Sequence, residues 1–230
     1  MQNNSFIYKT ETHLHTKETS RCGKVSAEDH IRGYKELGYT TVFVTDHYRW
    51  DLFDSVSAEE AAEVQLLGYR TAKKIGEEVG INVILGCEID LCGNDYLLYG
   101  IDESFFTTAP INDVREDPIA FKKMCEEMGI TVIAAHPFRY DRTPVVEAID
   151  GIEKVNASHG HYYKNHNEKA AELAEKMPHL LTTSGSDAHK IKDMGCGGIM
   201  TEEVISSSDD YIRILRSGWY SLIDISPENK

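Results

Sequence analysis

Short apolar runs rich in β-branched and aromatic residues alternate along the chain with segments whose apolar positions recur every three to four residues. Phe6 to His13 reads as a strand. Ser26-Ala-Glu-Asp29 has the pattern of a helix N-cap and opens a helix carrying Ile31, Tyr34 and Leu37 on one side, stopped by Gly38. Thr40 to Thr45 is the next strand. Ser57-Ala-Glu-Glu60 opens one long helix to about Val79, ended by Gly80, and Asn82 to Glu88 is strand again. A tight turn at Cys92-Gly93-Asn94 leads into a strand from Tyr96 to Ile101. Asp117 and Pro118 start a helix to Met128 that Gly129 closes, before a strand from Ile130 to Ala135. Then come a strand from Gly151 to Val155, a helix from Asn167 to Met177 and a strand from Leu180 to Thr183. The tail offers a strand near Gly198 to Met200, a helix near Asp209 to Arg216 and an apolar segment from Trp219 to Ile225. About seven strands with intervening helices predict a parallel α/β barrel slightly short of the usual eight.

At 230 residues and 41% hydrophobic, residues 1–230 suit one domain with a substantial core. The formal net charge of −14 argues against a nucleic-acid polymer as partner, because phosphate-backbone affinity needs clustered Lys and Arg. It leaves room for a small anionic substrate if carboxylates are neutralised by bound cations. The first residues lack a basic region followed by an apolar stretch, and no segment has the length of a membrane span, so a soluble cytoplasmic protein without membrane contact is expected. The five cysteines are odd in number and form no Cys-x-x-Cys pair. Neither a disulfide framework nor a thiolate zinc site is suggested; they read as buried thiols, with Cys22 the one to watch.

The chemistry lies where the apolar runs end. His13 and His15, Asp46 and His47, Glu88, His136, and Asp187 and His189 each fall at the carboxyl end of a predicted strand, the rim where barrel enzymes carry their active sites. Side chains at i and i+2 of a strand share a face, so His13 with His15, and Asp187 with His189, can reach one ion together. Imidazole and carboxylate donors suit zinc, manganese or iron, and Glu88 is the natural bridge between two ions. Such a centre can hydrolyse a phosphoester, and equally an amide or lactam. Asp46 is placed to orient the His47 imidazole. Arg139 and Arg142 follow His136 closely and can hold a phosphate, Asn156 can face the site or cap a turn, and His159, His161 and His166 read as a solvated loop. The loops at 107–116 and 138–143 are long enough to cover the site.

His13-Leu-His15, Thr45-Asp46-His47, Gly86-Cys-Glu88, Ala135-His136-Pro137 and Ser186-Asp187-Ala188-His189 resemble, in order and between about Tyr8 and Gly198, the successive motifs of the PHP (polymerase and histidinol phosphatase) family. The resemblance implies a distorted seven-stranded TIM-like barrel, two or three divalent transition metal ions (Zn, Mn or Fe) and phosphoesterase activity. It implies a first metal held by His13, His15, Glu88 and Asp187, a second by Glu88 and His136, and a third by His47 and His189. Two positions depart from the family pattern. Asp95 stands where many members have a histidine, as an oxygen substitute, and in the loop after the first motif only Glu18 is a hard donor, where members commonly carry Asp or His. The expected activity is hydrolysis of a small phosphate ester by a metal-activated water, with Asp187, His189 and Glu88 catalytic and Arg139 on the substrate. The alternatives are a metal-dependent amidohydrolase and a catalytically silent, metal-stabilised interaction module.

Overall fold

Capping chemistry sets the element boundaries in the computed structural model, which describes residues 6–226. Helix α1 (Ala27–Glu36) starts where the Ser26 hydroxyl accepts the Asp29 N–H, and it buries Ala27, His30, Ile31 and Tyr34. The expected long helix is two: α3 (Ala58–Gln65), opened by a Ser57/Glu60 capping box, and α4 (Leu67–Val79), closed by Gly80 in the left-handed conformation; a single turn, α2 (Trp50–Phe53), precedes them. The break has an identifiable cause. The Thr19 hydroxyl inserts at this point, accepting the Gly68 N–H at 3.0 Å and donating to the Gln65 carbonyl at 3.3 Å. The stretch 107–116 is not a plain loop either, since the short helices α5 (Phe105–Thr108) and α6 (Ile111–Val114) occupy much of it. Helices α7 (Pro118–Glu127), α8 (Asn167–Lys176) and α9 (Ser208–Ser217) follow the sequence reading closely.

The strands are β1 (Tyr8–Glu11), β2 (Tyr39–Val44), β3 (Asn82–Leu91), β4 (Asn94–Tyr99), β5 (Thr131–Ala134), β6 (Gly151–Asn156), β7 (Leu181–Gly185), β8 (Gly197–Thr201) and β9 (Ser221–Asp224). They form one nine-stranded sheet in the order β7-β6-β5-β4-β3-β2-β1-β8-β9. Among the described residues nine strands stand where about seven are expected, and the sheet is not wholly parallel. A two-residue hairpin with Cys92 and Gly93 both at positive φ returns β4 antiparallel between β3 and β5, and β8 runs antiparallel to both β1 and β9. The first seven strands curl into a barrel that closes where Leu14 bridges Ala188 in parallel sense, just past β1 and β7. There His15 N–H donates to the Ala188 carbonyl at 3.2 Å, and the buried Glu11 carboxylate accepts N–H groups from His13 and Ser186 and the Tyr34 hydroxyl.

Two apolar clusters hold the barrel. The larger joins strand faces to the surrounding helices. In the smaller, Phe43, Leu97, Tyr99, Ile133 and Ile199 pack with Tyr211, Ile214 and Leu215 of α9. Tyr211 also donates or accepts a 2.6 Å bond with the Thr183 hydroxyl, so α9 plugs the barrel and leaves the rim beyond β1, β2, β5 and β7 free for polar residues.

Candidate metal centre

The barrel brings His13, His15, His47, Glu88, Asp95, His136, Asp187 and His189 to one rim. Asp95 arrives there because β4 is antiparallel: its start lies beside the ends of the parallel strands. Most of these groups are fully or nearly buried, including His13, His15, Glu88, His136 and Asp187. The missing side chain of Gly185 makes the room, since a Cβ there would lie 2.4 Å from the His13 Cβ and 2.5 Å from Glu153 Oε1. His136 and Asp187 both sit at positive φ, 30° and 48°, a conformation non-glycine residues avoid unless surrounding structure enforces it.

His13 Nε2 and His15 Nε2 are 3.1 Å apart; Glu88 Oε2 lies 3.4 and 3.1 Å from them, and Asp187 Oδ1 lies 3.6 and 3.2 Å from them. A tetrahedron around a zinc-type ion with N and O bonds has edges of about 3.3–3.6 Å, so these four atoms have the spacing of one coordination shell. Glu88 Oε2, Asp187 Oδ1 and His136 Nδ1 are buried without a hydrogen-bond partner, an arrangement that costs free energy unless a cation completes it. The residues present therefore fit divalent ions. Glu88, Asp95 and His136 form an adjoining group, with Glu88 Oε1 at 3.0 Å from His136 Nε2, which leaves Glu88 shared between two positions. A third group comprises His15, Cys22, His47 and His189.

Imidazole orientation follows from what each ring donates. His13 Nδ1–H donates to Glu153 Oε1 at 3.0 Å and His189 Nδ1–H donates to the Asp187 carbonyl at 2.8 Å, which turns both Nε2 lone pairs into the site. Ser20 donates to Asp46 at 2.6 Å and accepts from His15 Nδ1 and the His47 backbone. Asp46 thus acts on Ser20 and on Thr16, not on the His47 ring as the sequence suggested. The electrostatics show a site built around cations. Burial alone would raise the Glu88 and Asp187 carboxyls, yet the histidines around Glu88, and Arg139 with His13 beside Asp187, hold both well below the usual carboxylate range. Burial would lower His47 and His189, but Glu88 carries the first up to about 9 and Asp187 carries the second up to about 11. The Cys22 thiol, which burial would raise, is lowered to about 5 by hydrogen bonds with His189 and His47.

One expected site residue stands elsewhere. Glu18 joins none of these groups: its carboxylate accepts the Ala27 N–H at 3.0 Å, a use for the positive N-terminus of α1, and Cys22 takes the place in the loop foreseen for it. Arg139 is buried, its Nε donating to Asn165 and its Nη2 to Asn156 and Asp187, so this side of the guanidinium fixes Asp187. Arg142 is paired to Asp95 at 2.6 Å. Asn156 does face the site, donating to Glu153 at 2.8 Å.

Glu153 was missed, although its position two residues after Gly151 in a buried strand is a signal. It orients His13 and also accepts the His136 N–H at 2.9 Å. Glu11, on the same strand face as His13, was also legible by that two-residue spacing.

The sequence matches the PHP domain over residues 11–185 and a PHP-associated segment over residues 164–219. Among curated proteins none matches. Solved structures share the fold. A two-domain protein from Bacteroides vulgatus containing a predicted PHP-like metal-dependent phosphoesterase superposes with a TM-score of 0.64 at 16% identity, covering 95% of this chain and 65% of that one. An amidohydrolase from Chromobacterium violaceum with bound sulfate and no metal gives 0.57 at 15% identity, covering 96% and 99%. A lesion-specific endonuclease from Pyrococcus furiosus gives 0.59 at 15%, covering 94% and 57%. This chain thus spans under two-thirds of the Bacteroides and Pyrococcus proteins. With the PHP match spanning most of its length and the motif residues gathered at one barrel rim, the chain belongs to the PHP domain family.

Proposed function

We propose that the protein is a metal-dependent phosphoesterase acting on a small phosphate ester, with two or three divalent transition metal ions held at the barrel rim. The observation that carries this is the convergence of unpartnered Glu88 Oε2 and Asp187 Oδ1 on the His13 and His15 Nε2 atoms at coordination spacing. Ions bound there would acidify a water and shield phosphoryl oxygens during in-line displacement. The chain's own part is positioning: Glu153 orients His13, Arg139 fixes Asp187, and Ser20 aligns His15. His189 spends its Nδ1 proton on a backbone carbonyl, which suits it to ligation through Nε2 and not to proton donation.

Beside His189 and Cys22 lies a cavity of about 350 Å³ whose walls include Lys24, Lys190 and Lys192. In a chain of net charge −14, lysines grouped at this mouth suit an anionic substrate of small size. The shared fold with an amidohydrolase keeps amide hydrolysis as the second reading, since the same bridging carboxylate serves either bond. Among the described residues no helix is long and apolar enough to cross a membrane.

The test is a screen of the Mn²⁺- and Zn²⁺-loaded protein against phosphomonoesters, phosphodiesters, short DNA and amides. Turnover of small phosphate esters is expected; turnover of amides alone, or of DNA alone, would overturn the reading.

A further inference from the structure

We infer that Cys22 is a metal ligand, and that the outermost position of the centre is a thiolate–imidazole site selective for zinc or ferrous iron, distinct in metal preference from the oxygen- and nitrogen-ligated positions beneath it. The inference rests on the metal-dependent reading above but not on the reaction assigned to it.

Cys22, His47 and His189 each offer a ligand atom, and with His15 these atoms lie within 4.8 Å of one another. His15 Nε2 belongs to the shell with His13 and its Nδ1 faces Ser20, so Cys22, His47 and His189 are the protein donors of the outermost position. The thiol is placed there by the backbone on both sides. Gly23 N–H donates to the Ser20 carbonyl at 3.1 Å, and Lys24 N–H donates to the His189 carbonyl at 2.9 Å. Gly23 passes so close to the strand end that a Cβ would meet the Thr16 carbonyl oxygen at 2.6 Å. The loop after β1 is therefore sewn to His15 and Thr16 on one side and to His189 on the other. The only carboxylate in that loop, Glu18, is turned away to the start of α1. His189 has its Nδ1 occupied by the Asp187 carbonyl, which presents Nε2 toward the group.

A thiolate among imidazoles is a softer donor set than the Glu88, Asp95 and His136 group deeper in the rim. Sulfur ligands favour zinc or ferrous iron and discriminate against manganese and magnesium, whereas carboxylate with imidazole accepts manganese readily. A protein grown with manganese should consequently take it at the inner positions and still bind zinc at Cys22. Binding requires a thiolate and neutral imidazoles, and whatever protons these groups carry are released to solvent.

The experiment uses cobalt and zinc as spectroscopic probes on the whole chain. Cobalt(II) loading is expected to produce a near-ultraviolet sulfur-to-cobalt charge-transfer band. That band should vanish in Cys22→Ser and persist in Cys92→Ser and Glu18→Gln. Zinc added to the manganese-loaded protein should show one sulfur neighbour at about 2.3 Å by X-ray absorption. Because Cys22→Ser can misfold, the wild-type protein supplies a second readout: alkylation of Cys22, read by peptide mapping, should slow about tenfold or more when zinc is bound. A charge-transfer band unchanged in folded Cys22→Ser, a zinc site without sulfur, or alkylation indifferent to zinc would each overturn the inference. None of these readouts depends on turnover, so a failed substrate screen leaves them standing.

Discussion

The Glu153 carboxylate accepts a hydrogen bond from His13 Nδ1–H at 3.0 Å, and both groups are fully buried. This pairing joins β6 to the end of β1 across the barrel and decides which His13 nitrogen faces the metal position. Replacing Glu153 with Gln keeps the shape and removes the charge that makes the imidazole a strong donor. Metal affinity, measured by competition with a chromophoric chelator, is expected to fall about 10–100-fold, with the metal-free fold retained. Unchanged affinity would show the contact to be structural only.

Arg139 is the buried counter-ion of Asp187. Arg139→Met leaves that carboxylate uncompensated and is expected to destabilise the metal-free protein by about 3–5 kcal/mol, with a smaller loss once metal is bound. Chemical denaturation with and without metal reads both values. A variant whose only defect is a raised KM would restore Arg139 to the substrate.

Asp187→Asn and His13→Ala should each abolish turnover while circular dichroism and the cooperative melt persist, because each removes a rim donor and not a core side chain. Glu18→Gln should leave metal content unchanged and cost only the helix-start interaction, about 0.3–1 kcal/mol. A loss of bound metal in this variant would return Glu18 to the site.

The metal-free protein should lose stability as pH rises from neutrality. His47 and His189 have folded-state pKa values of about 9 and about 11, above the ordinary histidine value of 6.5. The stability they contribute is fully present below about 6.5 and is lost as pH passes through the raised values. Cys22, lowered to about 5, works in the opposite sense up to its ordinary value of 9 and offsets one of the two histidines, so thermal melts in chelator should show a modest net fall in Tm between pH 7 and pH 10. Metal binding needs the same groups deprotonated, so metal affinity should rise over that range. A Tm that climbs with pH in chelator would contradict the charge arrangement described.

The sequence by itself determined the alternation of strands and helices, because periodicity and caps such as Ser26, Ser57 and Asp117 act over a few residues. It also determined the donor residues at the strand ends, since the two-residue repeat of His13 and His15 places both on one face. Only the tertiary structure decided how those donors are shared out. The break at Leu66 depends on Thr19, 47 positions earlier in the chain, reaching into the helix. The reversal of β4, which carries Asp95 to the rim, depends on pairing with β5 as well as on its hairpin. Glu18 and Cys22 lie in one loop, and local sequence favours the carboxylate as a ligand. The start of α1 captures Glu18, while the bonds from Gly23 and Lys24 hold Cys22 among the histidines. Arg139 reads in sequence as a free cation beside a site; folding buries it, and a buried guanidinium takes the nearest carboxylate, Asp187. Periodicity and capping are local and survive in the string of residues, whereas the partner of each polar side chain is set by which strands the barrel brings together.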